Sequence, residues 1–241
     1  MSGILQTFLM YKDVVANTHS IDLESNSSQY LSITDGDQTG LDLSSDFTIE
    51  AWINLKSLPP LDGTEGLIKK WETDGEYSYQ MFLRNRSSGG TSIAIYVSST
   101  GSFSSYDYFE WYYTYSTGSW IHIAISYDIS SSSASKAILY VNGTAQSDAD
   151  TLTRSITSIY NGTSPFIIGR GFDGLMDDVR IWNDIRTATE ISDNYKKELT
   201  GSESNLQGYW KLNNSLLDET ANNNDLTNNN SAAFSTDVPF S

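Results

Sequence analysis

Three groups of side chains in this 241-residue chain are of types that do chemistry. Glu72, Asp74 and Glu76 alternate in WETDGE, and two carboxyls about 5–5.5 Å apart are what retaining glycoside hydrolysis requires. Asp177 and Asp178 are adjacent in LMDDVRIW and concentrate the hard oxygen donors that a divalent cation takes. Between Phe103 and Trp120 the chain is crowded with aromatic residues. Aromatic faces stack on sugar rings, and Tyr and Trp combine an apolar body with a polar tip. His19 and His122 are the only histidines. No G-x-S-x-G elbow presents a nucleophile to them, and there is no P-loop, dinucleotide fingerprint or H-E-x-x-H.

The elements that must position these groups are mostly strands. Phe47, Ile49, Ala51, Ile53 and Leu55 fall on one face of a period-two pattern, and Thr48, Glu50, Trp52 and Asn54 on the other; such alternation needs one face in a core. Further strands are expected within 20–34 (two short ones), 66–71, 77–84, 92–98, 106–115, 120–127, 136–141, 165–169, 175–182 and 206–212. Gly, Ser, Asn and Asp clusters separate them, and Asn142-Gly143 is a strong hairpin turn. The spacing predicts one short surface helix near 187–199. Thr187 and Glu190 form its capping box, Ile191, Tyr195 and Leu199 its apolar stripe, and Gly201 its C-cap.

On these elements, Trp111, Tyr113 and Tyr115 share a face with Phe109, while Tyr108, Glu110 and Tyr112 share the other. If the first face is open, Trp111, Tyr113 and Tyr115 make a ligand platform. If it is the face that any sandwich must bury, they are core. Thr73 and Gly75 are not the apolar residues that lock a catalytic strand, so Glu72, Asp74 and Glu76 read as a solvated turn, and the protein is not expected to be an enzyme. In a regular strand Asp177 lies with Val179 and Ile181, and Asp178 with Arg180 and Trp182. Only one of the two carboxylates then points easily at a given ion; the competing reading pairs one with Arg180 or Arg186.

Composition narrows the classes further. Lys and Arg number 14 against 30 Asp and Glu, a net charge of −16. Phosphate binding needs clustered cations, so nucleic acid is not an expected partner; the field favours solubility and attracts cations. No cysteine is present, which removes disulfides, thiolate metal ligands and thiol catalysis. No apolar run approaches the roughly 20 residues of a spanning helix, so membrane insertion is not expected, and the first residues do not read as a signal peptide. The expected organisation is an N-terminal segment over 1–18, extended or an assembly arm, and one all-β sandwich over 19–241.

FTIEAWI (47–53), SWIHIAISYD (119–128), AILYVNG (137–143), FIIGRGFDGLMDDVRIWNDIRTATEI (166–191) and GYWKLNN (208–214) together resemble, in order and spacing, the laminin-G-like jelly-roll family. That family lies in the concanavalin-A-like lectin/glucanase superfamily and is related to the pentraxins. The resemblance implies a two-sheet antiparallel β-sandwich whose N- and C-terminal strands pair, with His122 structural. It also implies a structural Ca2+ held by Asp178, Asp177 and the turn at Asp22, since Ca2+ takes 6–8 oxygen ligands. WETDGE falls where the family places a hairpin loop. The resulting expectation is a non-catalytic, carbohydrate-binding module, calcium-stabilised, extracellular on a cell surface or virion. Its partner is a glycan or surface protein, and homo-oligomerisation is compatible with it. The alternative is a structural protein such as a phage or virus capsid decoration, fibre or adhesin domain; a glycoside hydrolase ranks third. Fold does not choose among them.

Overall fold

The structure, a computed structural model, describes residues 16–72 and 74–241. The expected N-terminal arm over 1–18 lies outside the described residues except for its last three.

In chain order the strands are β1 (Ser20–Leu23), β2 (Tyr30–Ile33), β3 (Phe47–Leu55), β4 (Thr64–Lys70), β5 (Tyr77–Arg86) and β6 (Gly90–Gly101). There follow β7 (Tyr106–Tyr112), β8 (Trp120–Tyr127), β9 (Ala137–Val141), β10 (Thr144–Ala145) and β11 (Thr151–Thr153). The last are β12 (Phe166–Ile168), β13 (Gly174–Trp182), β14 (Leu206–Trp210), β15 (Thr227–Asn229) and β16 (Ala233–Ser235). They form two antiparallel eight-stranded sheets. The first runs β10-β9-β8-β3-β13-β1-β16, with β14 also on β13; the second runs β11-β7-β6-β5-β4-β12-β2-β15.

Alternation decides what fills the space between the sheets. Phe47, Ile49, Ala51, Ile53 and Leu55 of β3 meet Tyr79, Met81 and Leu83 of β5 and Ile93, Ile95 and Val97 of β6 in one hydrophobic core. β1 pairs with β16, Ser20 opposite Ser235, as the resemblance implied. The Asn-rich tail that supplies β15 and β16 carries no apolar alternation to betray them. Asn142 (φ 49°) and Gly143 (φ 76°) make the β9–β10 hairpin, a left-handed pair that glycine tolerates.

The helix, α1 (Ala188–Asn194), begins as its capping box requires, with Thr187 Oγ1 accepting from the Glu190 amide and Glu190 accepting from the Thr187 amide. It ends sooner than the apolar stripe suggests, at Tyr195 rather than before Gly201. The reason is a competing donor. The buried Arg180 guanidinium donates to the carbonyls of Asn194 (3.2 Å) and Lys197 (2.6 Å), so the chain turns where further helix would need those acceptors. Leu199 packs instead beside Trp182, Leu206 and Tyr209.

Candidate functional site

The two outer faces of the sandwich differ in chemistry. On the first sheet, Glu50, Trp52 and Asn54 of β3 and His122 of β8 point outward, yet all are buried, because α1 and the chain after it cover them. Trp52 Nε1 donates to the Tyr195 carbonyl at 2.7 Å, and the two rings stack with centroids 5.8 Å apart. Beneath this cover is a charged layer. His122 Nε2 lies 3.0 Å from Glu50 Oε2, Trp182 Nε1 donates to Glu50 Oε1 at 2.7 Å, and Arg180 pairs with Asp178 and with Glu50. Burial pushes the Glu50 carboxyl up, but Arg180, His122 and Trp182 outweigh it and hold it at about 2. Every charge here has a protein partner, as buried ions require.

The acidic pair sits in this layer, and its geometry corrects the regular-strand expectation. Met176 and Asp177 pair with Ile53 and Trp52, but the next pair is Arg180 with Glu50. One extra residue is therefore inserted, and Asp178 takes φ 48°. Such a bulge shifts the phase of the strand. Asp177 thus lies on the outer face with Arg180, not with Val179 and Ile181, which enter the core. Asp178 pairs with Arg180 and accepts from Tyr209 Oη at 3.2 Å. Asp177 accepts from Asn17 Nδ2 at 2.6 Å and from the Asp178 amide at 2.9 Å; burial raises it to about 8. Asp22 pairs with Lys56 at 2.6 Å.

These three carboxylates do not suit a shared calcium ion. Asp178 and Asp22 are paired with Arg180 and Lys56, and Asp177 is engaged by Asn17 and the Asp178 amide. No group of three or more metal-binding side chains occurs among the described residues. A cleft of about 360 Å³ beside Asn54, Lys56, Leu175 and Asp237 opens on the same side, but Lys56 is already tied to Asp22 and Glu24.

On the outer face of the second sheet Phe82, Ala94 and Tyr108 form a buried cluster, with Tyr96 and Tyr106 half-buried against it. Cross-strand register lays this face out as a grid. One row is Lys69, Gln80, Tyr96 and Tyr108; the next is Gly66, Phe82, Ala94 and Glu110; the third is Thr64, Arg84, Ser92 and Tyr112. At the loop end of the grid, Phe103 stands edge-on to four rings: Trp71 (5.4 Å), Tyr77 (5.4 Å), Tyr96 (5.5 Å) and Tyr106 (5.9 Å). Trp71 and Tyr77 stack at 4.5 Å and 2°, and Tyr96 stacks on Tyr108 at 4.6 Å. Phe103 is 53% exposed and Tyr112 47%. A ladder of hydroxyls, Thr100, Ser102 and Ser104, holds the Phe103 loop. Gly101 (φ 78°) lets that loop approach Gly75, since a Cβ there would sit 2.2 Å from the Gly75 carbonyl.

The aromatic strand is two-faced, as its alternation predicts, and the face of Phe109, Trp111 and Tyr115 is the one the sandwich buries. Trp111 and Tyr115 are in the core, where Trp111 Nε1 donates to the Ser147 carbonyl at 3.1 Å and Tyr115 Oη to that of Arg84 at 2.9 Å. Tyr113 lies past the end of β7 and packs partly against the core. Buried, bonded rings offer no stacking face, so Trp111 and Tyr115 do not form a platform. The exposed rings of the other face are Phe103 and Tyr112, with Tyr77, Tyr96 and Tyr106 half-buried and Trp71, Phe82 and Tyr108 buried beneath them; they come from separate stretches of sequence, so no single run announces them. An exposed aromatic cluster of this kind can stack on the apolar face of a sugar ring.

Beside the rings, Arg86 Nε donates to Glu110 Oε1 at 2.9 Å and Ser92 Oγ donates to it at 2.6 Å. Burial would raise the Glu110 carboxyl, but Arg86, Ser92 and Tyr108 outweigh it and hold it low. Glu72 is bound in ion pairs to Lys69 and Arg170, and Glu76 accepts from the Thr163 amide at 2.7 Å. They lie in a loop between β4 and β5 and are committed to holding it.

Comparison with known proteins gives the same frame. A laminin-G-type family model, of the concanavalin A-like lectin/glucanases superfamily, matches residues 25–192. A solved structure of a candidate carbohydrate-binding protein from Bacteroides ovatus is similar over 94% of this chain and 62% of its own, with 22% identity and a TM-score of 0.61. A heptameric SAP-like pentraxin from Limulus polyphemus is similar over 92% of this chain and 97% of its own, with 10% identity and a TM-score of 0.57. At these identities the likeness is one of fold. This chain spans 62% of the length of the Bacteroides protein. No curated protein matches it in sequence.

Proposed function

The chain belongs to the laminin-G-like family of the concanavalin A-like lectin/glucanase superfamily, and on that premise we propose that it is a non-catalytic module that binds carbohydrate on the outer face of its second sheet. The observation that carries this reading is the exposed Phe103 ring, set edge-on to the half-buried Tyr77, Tyr96 and Tyr106. Monomeric proteins keep large rings inside unless a surface uses them. On the first sheet's outer face Trp52 and Trp182 are buried, whereas on the second Phe103 and Tyr112 stay exposed.

The absence of catalysis rests on the carboxylates. Retaining hydrolysis needs two carboxyls about 5–5.5 Å apart and held by the scaffold. Glu72 and Glu76 are instead loop residues engaged with Lys69, Arg170 and Thr163. Glu110, a buried carboxylate beside the rings, is paired with Arg86. The setting that suits such a module is outside the cell, on a cell surface or a virion, where glycans are met.

A glycan array tests the reading. The wild-type chain is expected to bind a restricted set of glycans, and Phe103→Ala to lose that binding while keeping its melting temperature within a few degrees. Binding to no glycan, or binding that Phe103→Ala leaves intact, overturns it.

A further inference from the structure

Arg84 stands on the aromatic face without a counter-charge. It sits in β5 two residues from Phe82, opposite Thr64 and Ser92, and so projects to the same side as Phe82, Tyr96 and Tyr108. Its Nε is buried and has no hydrogen-bond partner, and Arg84 makes no ion pair among the described residues. Its neighbour in charge, Arg86, is neutralised by Glu110. Asp62 lies on this side too, but it accepts from the amide and hydroxyl of Ser87 at 2.9 and 3.0 Å, beyond pairing distance of Arg84. A guanidinium in this state is unusual on a chain of net charge −16, where carboxylates are plentiful enough to pair it. Carrying an arginine charge without a counter-ion beside apolar rings costs free energy, and an anion received at the terminal guanidinium nitrogens would lower that cost.

From this we infer that the glycan taken by the aromatic face is anionic, its carboxylate or sulfate received by Arg84 while a ring one or more units away stacks at Tyr96 and Phe103. The inference rests on the carbohydrate reading above and adds the charge of the ligand to it. Guanidinium presents parallel N–H donors that match a carboxylate in fork geometry, and it does so with more directional definition than an ammonium. The spacing also fixes the kind of ligand. Arg84 and the Gln80–Tyr96 row are four residues apart along β5, roughly 13 Å at the rise of an antiparallel strand. Phe82 and Ala94 lie between them in the grid, both buried, and floor the middle of the face. An oligosaccharide spans that interval and a monosaccharide does not, so the acid group and the stacked ring belong to different residues of one chain.

The test is an array of matched neutral and acidic glycans, uronate-, sialate- and sulfate-bearing, read with wild type, Arg84→Gln, Arg84→Lys and Phe103→Ala. Wild type is expected to bind an acidic member at least tenfold more tightly than its neutral match. Arg84→Gln should bring that ratio to within about threefold of unity, and Arg84→Lys should leave it in between. Phe103→Ala should weaken both members together. The acidic arms separate carboxylate from sulfate as the source of the charge. Equal binding of neutral and acidic members, or a preference that survives Arg84→Gln, overturns the inference and leaves the carbohydrate reading standing. Binding to no member by wild type overturns both. Equal melting temperatures for the Arg84 variants and wild type show that any loss is not one of folding.

Discussion

Arg180 of β13 lies 3.7 Å from Glu50 of β3, and both side chains are almost wholly buried. The guanidinium also engages Asp178, the carbonyl of Asn194 at the end of α1 and that of Lys197 beyond it. One cation therefore ties two neighbouring strands to the chain that covers them. Removing one member of a buried ion group leaves the others uncompensated, which costs about 3–5 kcal/mol. Arg180→Met is expected to lose that much, read from the denaturant midpoint. The triple variant Glu50→Gln, Asp178→Asn, Arg180→Met should recover most of the loss. An Arg180→Met chain as stable as wild type would mean the layer does not hold the cover down.

Two carboxyls in this layer respond to pH in opposite senses. Glu50 is held at about 2 against an ordinary 4.5, so its contribution is complete above about pH 4.5 and fades as pH falls toward 2. Asp177 is raised to about 8 from an ordinary 3.8. Folding keeps it protonated where the unfolded chain ionises it, so stability declines as pH rises from about 4 to 8. Asp177→Asn removes that decline. Asn17 Oδ1 is buried and has no partner, so it can accept from the new amide. The variant should match wild type at pH 3 and exceed it at pH 8.5 by on the order of a few kcal/mol, as chemical denaturation at both pH values will show. A constant difference across pH would contradict this.

Trp111 and Phe103 separate core from surface. Trp111→Ala empties a core site and should cost about 3–5 kcal/mol. Phe103→Ala should cost under about 1.5 kcal/mol, the range of its aromatic pairings. Thermal melts of the two variants test whether Trp111 is core and Phe103 surface. The reverse ranking would place the open face on the wrong side.

Asp178 offers a test of the calcium expectation. As the partner of Arg180, its replacement by Ala should lower the melting temperature equally with and without EDTA, and EDTA should leave wild type unchanged. A wild-type melt that drops in EDTA, with the response gone in Asp178→Ala, would restore a metal role to this carboxylate.

Much of this was legible in the residues. Period two placed every core residue of β3, and Thr187 with Glu190 placed the start of α1, because both signals are local. What depended on distant partners was hidden. Arg180, from another strand, cuts α1 short. A single inserted residue at Asp178 turns Asp177 away from the core. Alternation divides β7 into two faces but cannot say which meets the second layer, so it leaves Trp111, Tyr113 and Tyr115 as either ligand platform or core; only the packing of the distant sheet puts Trp111 and Tyr115 in the core. Arg84 carries no signal in sequence at all, since its distinction is the lack of a partner in space.

The pairing of β1 with β16 has a mechanical side. Ser20 faces Ser235, so the chain enters β1 and leaves β16 at the same end of the pair. Tension applied through those two points peels the hydrogen bonds one after another rather than shearing them together. The clasp from Ser20 Oγ to the Asp237 carbonyl, 2.6 Å long, would bear the first load. Single-molecule pulling from residues 19 and 236 should therefore register an early low-force step that releases β16, and Ser20→Ala should lower it. Load applied between residue 19 and a ligand on the second sheet would bypass that zipper.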